Sequence, residues 1–236
     1  MRPGTILRLL RPLDAYSRSR GPGLATQVGA GRHLQLLDGP VDAGSGPRLR
    51  VRLLDDGYPC WLELLALQTH AAPAGRPTLP RLDRSAITAR LAAVLAFAES
   101  AAGVPNRYLW GGTLGPDFDC SGLVQAAFAA AGIWLPRDAY LQERFCLPVA
   151  VRPGQTSLLK PGDLIFFGSA RRCTHVGLHL GDGRYLHSSG REHGRNGIGR
   201  DDLNPYNQDP VARHYRLELR GAGRVMHSHD GSPLPG

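Results

Sequence analysis

Over residues 1–75 the apolar positions fall in short runs with period two. Residues 5–10 and 33–37 read as strands, and residues 48–54 alternate basic and apolar side chains as a half-buried strand does. Residues 58–65 read as the next strand. Residues 25–31 carry turn glycines, and Asp38-Gly39-Pro40 and Asp55-Asp56-Gly57 are turn signals. Short strands joined this way predict a small β-barrel, with Trp61 in its core and Tyr58 exposed at a turn exit. Three prolines in residues 71–80 predict a semi-rigid boundary, with residues 76–84 as the linker between domains.

The period then becomes helical. Ser85 reads as the cap of a helix over residues 86–102, with Leu91, Val94, Leu95 and Ala98 on one face and Gly103 and Pro105 ending it. Residues 121–131 are a second run of good helix formers, closed by Gly132. Residues 139–160 have no clear period. Residues 164–167 form a continuous apolar run, a buried strand. Residues 173–180 alternate, so that His175, Gly177 and His179 share one face. Gly181-Asp182-Gly183 predicts a hairpin, and residues 184–188 return. That register brings the His175 and His187 rings together. Residues 190–210 read as a loop, 214–219 as the last strand, and 221–236 as a polar, disordered tail. The predicted class is α+β: a small barrel over 1–75 and a second domain over 85–220.

The chain has 236 residues, 42% of them apolar, and a net charge of +8. The arginines are scattered, Lys160 is the only lysine, and no basic stripe is interleaved with aromatics, so no nucleic-acid partner is expected. Cysteines stand at 60, 120, 146 and 173 without a CxxC pair, which argues against a zinc site and a disulfide framework. No metal or cofactor is implied. Arg8 and Arg11 interrupt the only apolar candidate near the N-terminus, so neither a secretory leader nor a membrane span is expected. The cytoplasm is the expected compartment, with periplasm or cell wall as the alternative. Composition is silent on oligomeric state.

Cys120 falls at the predicted start of a helix, where unpaired N–H groups and the dipole favour a thiolate. Asp119 is a natural N-cap for that helix. A nucleophile needs a base and a group to orient it; His175 and His187 offer both, with the Cys120 N–H and the Tyr108 hydroxyl as oxyanion donors. A buried structural cysteine fits the same position. The chain holds nine histidines, so spacing alone leaves the pairing open. His179, His193, His214, His227 and His229 read as surface or loop residues.

Six ordered motifs narrow the choice: Tyr108-x-Trp-Gly-Gly, Asp119-Cys-Ser-Gly-Leu-Val, Leu135-Pro-Arg-Asp, Pro161-Gly-Asp-Leu-Ile-Phe-Phe, His175-Val-Gly and Tyr185-Leu-His. Together they resemble the NlpC/P60 cysteine peptidases, papain-like enzymes that cleave peptidoglycan stem peptides. The resemblance implies Cys120 as nucleophile, His175 as base and His187 as third polar residue. The first domain resembles a bacterial SH3-like (SH3b) domain, in the arrangement of γ-D-glutamyl-L-diamino acid endopeptidases. That implies a murein peptide with a free N-terminal L-Ala as substrate; with no membrane span expected, no membrane partner is expected either. Asp119 and Ser121 would bind the amine, and Tyr58 would close the pocket. Arg137 and Asp138 read as structural, and Arg191, Arg195 and Arg200 as solvated loop residues that could meet substrate carboxylates. An amidase or acyltransferase on the same scaffold, and a wall-binding module with an inactive cysteine domain, are the competing readings.

Overall fold

The structure is a computed structural model and describes residues 1–42, 44 and 46–233. It divides into two compact units, residues 1–80 with 229–236, and residues 81–228.

The first unit is an antiparallel sheet of short strands. In chain order these are β1 (Ile6–Leu9), β2 (Leu13–Tyr16), β3 (Leu24–Val28), β4 (His33–Leu36), β5 (Val41–Asp42), β6 (Pro47–Leu53), β7 (Pro59–Glu63), helix α1 (Leu64–His70) and β8 (Ala71–Pro73). The strands are ordered β3-β2-β7-β6-β4-β1-β8, with β5 against β6. Alternate residues Leu34, Leu36, Leu49, Val51, Leu53 and Leu62 face inward and make the core. Four expected strands are present as β1, β4, β6 and β7. The last is shorter than expected, because residues 64–70 are good helix formers and turn into α1. Strands β2 and β3, which the turn-rich composition hid, pair with each other, and Ala71–Pro73 pairs with β1 instead of starting the linker.

The second unit opens with α2 (Arg84–Thr88) and α3 (Leu91–Ala102), two helices where one was expected. Its first cap is Asp83, which accepts the Ala86 N–H at 2.9 Å; Ser85 donates to Asp83. Taken together Arg84–Ala102 is apolar and long enough to cross a bilayer by length and composition, but Ile87, Val94 and Ala98 lie in this unit's core. Then come α4 (Cys120–Ala130), α5 (Ala139–Phe145), β9 (Leu147–Val149), β10 (Leu164–Gly168), β11 (Cys173–Gly181), β12 (Arg184–Ser189), β13 (Gly197–Asp202), α6 (Pro210–Leu217) and β14 (Leu219–Arg224). The sheet order is β13-β12-β11-β10-β14-β9, every pair antiparallel. Alternation along the strands gives the sheet two covered faces. Leu164, Phe166, Val176, Leu178 and Leu186 pack with α3 and α4. Ile165, Phe167 and Tyr185 pack with Val211 and Tyr215 of α6.

Residues 214–219 were expected as a strand, but α6 occupies most of them. Asp209 accepts the Val211 and Ala212 N–H groups, and Pro210 stands in the first turn, so the helix-start signal outweighs the local alternation. The expected disordered tail is also corrected. Residues 219–224 form β14, and Val225, Ser228 and His229 are buried. Residues 229–233 pack on the first unit: a Cβ at Gly231 would overlap the Leu54 carbonyl, and one at Gly57 would overlap that of Ser232. The end of that expected tail, 234–236, lies outside the described residues.

Candidate active site

Cys120 is the first residue of α4. Asp119 caps the helix, its Oδ1 accepting the Gly122 N–H at 2.7 Å while Oδ2 accepts the Gly111 N–H at 2.8 Å. Glycine is required at 122, because a Cβ there would overlap the Gly112 carbonyl oxygen. The Asp119 carboxylate meets a buried guanidinium as well. Arg137 donates from Nη2 to Oδ2 at 2.6 Å, from Nη1 to Oδ1 at 3.1 Å, and from Nη1 to Ser121 Oγ at 2.9 Å. Both oxygens of Asp119 and the Ser121 hydroxyl are thus engaged inside the protein. Their expected role toward a substrate amine would have to be played from within this network. Arg137 is thus bound within the protein, and Asp138 is the N-cap residue of α5.

Cys120 is buried, and its thiol is pushed up to about 12. Burial is the main cause and the Asp119 charge adds to it, while the Val176 N–H, Arg137 and the Ser121 N–H pull the other way less strongly. The helix N-terminus therefore acts in the expected direction but loses to desolvation. A lone Cys120 here is a thiol, and a thiolate requires a base to take its proton.

The candidate base lies one residue before Val176. Ladder pairing of β11 with β12 begins at Leu178↔Leu186 and runs to the hairpin, where Asp182 and Gly183 both have positive φ, at 52° and 72°. Extended toward the other end, that register sets His187 against Gly177, so His175 and His187 are diagonal neighbours and not directly opposed. Gly177 carries no side chain to separate them, and a Cβ there would stand 2.6 Å from the Tyr185 ring. His175 Nε2 and His187 Nδ1 are 2.7 Å apart. His187 Nε2 lies 2.6 Å from Asp201 Oδ2, and Arg195 Nη2 donates to both oxygens of Asp201 at 3.0 and 2.9 Å. Tyr215 stacks on His175 with ring centroids 4.2 Å apart, and its hydroxyl meets Ser189 Oγ at 2.7 Å. Burial drives His175 well below the ordinary imidazole value and lowers His187 despite Asp201.

Tyr108 is half-buried and bridged to Phe118. Burial above all, with the nearby Asp119 and Glu192 charges, holds its hydroxyl protonated and able to donate. Tyr58 belongs to the first unit, where it is half-buried against the core; its N–H donates to Asp56 Oδ1 at 3.1 Å. Arg195 serves Asp201 and Arg200 pairs with Glu99, so of the three loop arginines only Arg191 stands exposed without such a role. His179, expected at the surface, is buried: its Nδ1 lies 2.9 Å from the Lys160 carbonyl oxygen, and its Nε2 accepts the Gly183 N–H at 3.1 Å. His229 is buried too, while His193 and His214 stack at 4.5 Å beside Tyr215. Sequence reasoning missed Asp201 and Tyr215, which lie in stretches read as loop and strand, and named Arg195 only as a loop residue that could meet substrate carboxylates, not as the partner of Asp201.

These features define a class: an SH3-like sheet domain followed by a papain-like α+β domain with a cysteine at a helix start and a histidine pair on the sheet. Residues 105–218 match the NlpC/P60 family, and residues 16–67 match the bacterial dipeptidyl-peptidase SH3 domain, so the chain carries both domains. A probable endopeptidase of Mycobacterium tuberculosis is 39% identical over 117 residues, 50% of this chain and 28% of that protein. The γ-D-glutamyl-L-lysine dipeptidyl-peptidase of Bacillus subtilis is 42% identical over 84 residues, 34% of this chain and 27% of that protein. The chain thus spans under a third of the length of the curated relatives it matches. The solved structure of NlpC2 from Trichomonas vaginalis shares the fold, with a TM-score of 0.50 at 18% identity, covering 95% of this chain and 99% of that one.

Proposed function

We propose that the chain is a cysteine endopeptidase hydrolysing the bond between γ-D-glutamate and a diamino acid in peptidoglycan stem peptides. The observation that carries this reading is the hydrogen-bonded pair His175–His187, with Cys120 against the backbone of the neighbouring Val176. Burial makes the free thiol a poor nucleophile and keeps His175 neutral, so proton transfer from Cys120 to His175 is the step that creates the thiolate. The thiolate attacks the carbonyl carbon of the γ-glutamyl bond. The oxyanion is held by the Cys120 N–H at the open end of α4 and by the Tyr108 hydroxyl. His175 then gives its proton to the leaving amine of the diamino acid, leaving a thioester. Water, losing a proton to His175, hydrolyses the thioester and restores the thiol.

Specificity is inferred from the SH3 domain and from the substrate in the name of the Bacillus subtilis relative. The domain and the relative are both of the dipeptidyl-peptidase type, which supports a cut two residues from a free amino terminus, and our reading is a stem peptide that begins with L-Ala. Asp119 and Ser121 do not support this part, because Arg137 and two backbone N–H groups already occupy them. The test is to incubate the protein with L-Ala-γ-D-Glu-diaminopimelate and its N-acetylated form and read products by mass. Cleavage of the free-amine peptide alone is expected. Cleavage of both would overturn the free-amine requirement, and cleavage of neither by protein with a reduced thiol would overturn the activity. Cys120→Ala is expected to lower kcat by at least about 10⁴-fold.

A further inference from the structure

We propose that Asp201, held by Arg195, is a positioning residue that sets which nitrogen carries the proton on His187 and, through it, on His175. The inference rests on the reading of Cys120 and His175 as nucleophile and base.

The register of β12 and β13 builds the arrangement. His187 stands opposite Gly199 and Tyr185 opposite Asp201, so Asp201 is diagonal to His187 on the same face. A Cβ at Gly199 would overlap the Arg195 guanidinium, so this glycine leaves the room that Arg195 fills. Arg195 arrives there after Gly194, whose φ of 86° turns the chain. His187 is fully buried, at 0% exposure, and its two ring nitrogens face protein partners, Asp201 and His175.

The hydrogen bonds then fix the protons in sequence. A carboxylate accepts and cannot donate, so the 2.6 Å contact puts the His187 proton on Nε2. Burial keeps His187 neutral near neutral pH, which leaves its Nδ1 bare. Bare Nδ1 accepts across 2.7 Å, so the His175 proton is on Nε2. His175 Nδ1 is therefore the free lone pair, ready for the Cys120 proton. Without Asp201 nothing prevents the opposite pattern, in which His175 presents an N–H to the thiol. The other polar groups around the pair act differently. Tyr215 stacks on His175 and bonds Ser189, Tyr185 meets His187 edge-on at 5.1 Å, and His193 and His214 stand beyond Tyr215.

Asp201→Asn separates tautomer control from packing. Arg195 keeps the Asn carbonyl oxygen, so the amide nitrogen faces His187 Nε2 and donates to it. His187 must then carry its proton on Nδ1 and donate to His175, whose own proton moves to Nδ1. The readout is the rate of Cys120 alkylation by iodoacetamide against pH, followed by peptide-resolved mass spectrometry because the chain has other cysteines, alongside kcat and KM. For Asp201→Asn we expect the alkylation onset to move upward, toward the value near 12 that burial imposes. We expect kcat to fall by about 10³–10⁴-fold with KM nearly unchanged. Asp201→Ala, which installs no donor, should lose less than Asp201→Asn, and Asp201→Glu should recover part of the loss. An unchanged alkylation profile in Asp201→Asn, or an Ala variant at least as impaired as the Asn variant, would overturn the inference. Imidazole ¹⁵N shifts of the unaltered protein supply a test that needs no variant to fold. Protons on Nε2 of both His175 and His187 are expected, and a proton on His175 Nδ1 sinks the proposal. Full activity in Cys120→Ala would instead sink the catalytic reading, while the tautomer result would still stand on its own.

Discussion

Arg137 and Asp119 meet at 2.6 Å with side-chain exposures of 2% and 9%, so both charges are largely removed from solvent. Such a pair adds modest net stability, but removing one partner strands the other, which costs about 3–5 kcal/mol. Asp119 also ties the Gly111 N–H to the first turn of α4, so the stranded charge would sit beside the nucleophile. Urea unfolding of Arg137→Met should therefore show a loss of about 3–5 kcal/mol. The Asp119→Leu/Arg137→Met double variant should lose less than the two single changes added together, because it strands no charge. Additive losses would mean that the pair is only a surface-like contact.

At the scale of elements, α6 depends on its start. Asp209 accepts two N–H groups of the first turn, at 2.9 and 3.2 Å, and Asp209→Ala should lower unfolding free energy by about 1 kcal/mol in chemical denaturation. Because Tyr215 lies on α6 and stacks on His175, the same variant should lower kcat modestly, whereas a helix detached from the site would leave kcat unchanged. The sequence made the cap of α4 legible, since Asp119 precedes a run of helix formers, and the hairpin, since Asp182-Gly183 is the preferred pair for a two-residue turn. Both features are local. The start of α6 was local too, in Asp209-Pro210, but the alternation of His214-Tyr-Arg-Leu-Glu-Leu219 masked it. Asp201 could not be read in advance. It lies in a stretch without clear period, and its place behind His187 follows from the β12–β13 register, which is a property of the sheet. The burial of the Cys120 thiol is illegible for a similar reason: the helix N-terminus is visible in sequence, while the burial that opposes it is created by packing.

For the molecule as a whole, the two ends of the chain share one unit. Residues 229–233 belong with the SH3-like sheet, where buried His229 accepts the Gly231 N–H at Nδ1, 2.9 Å away. Two glycines with positive φ, Gly57 at 72° and Gly231 at 76°, let this segment and the residue 54–57 turn approach more closely than side chains would allow. The first unit is small, and losing a packed segment should cost it about 1–3 kcal/mol. A chain ending at Ser228 should therefore show a lower melting transition for the SH3-like unit in calorimetry, with the transition of residues 81–228 little changed. Gly231→Ala should act in the same direction, since it adds a Cβ at a positive φ and against the Leu54 carbonyl. If truncation instead lowered the second transition alone, residues 229–233 would be stabilising the NlpC/P60 domain, and their place in the first unit would carry no energetic weight.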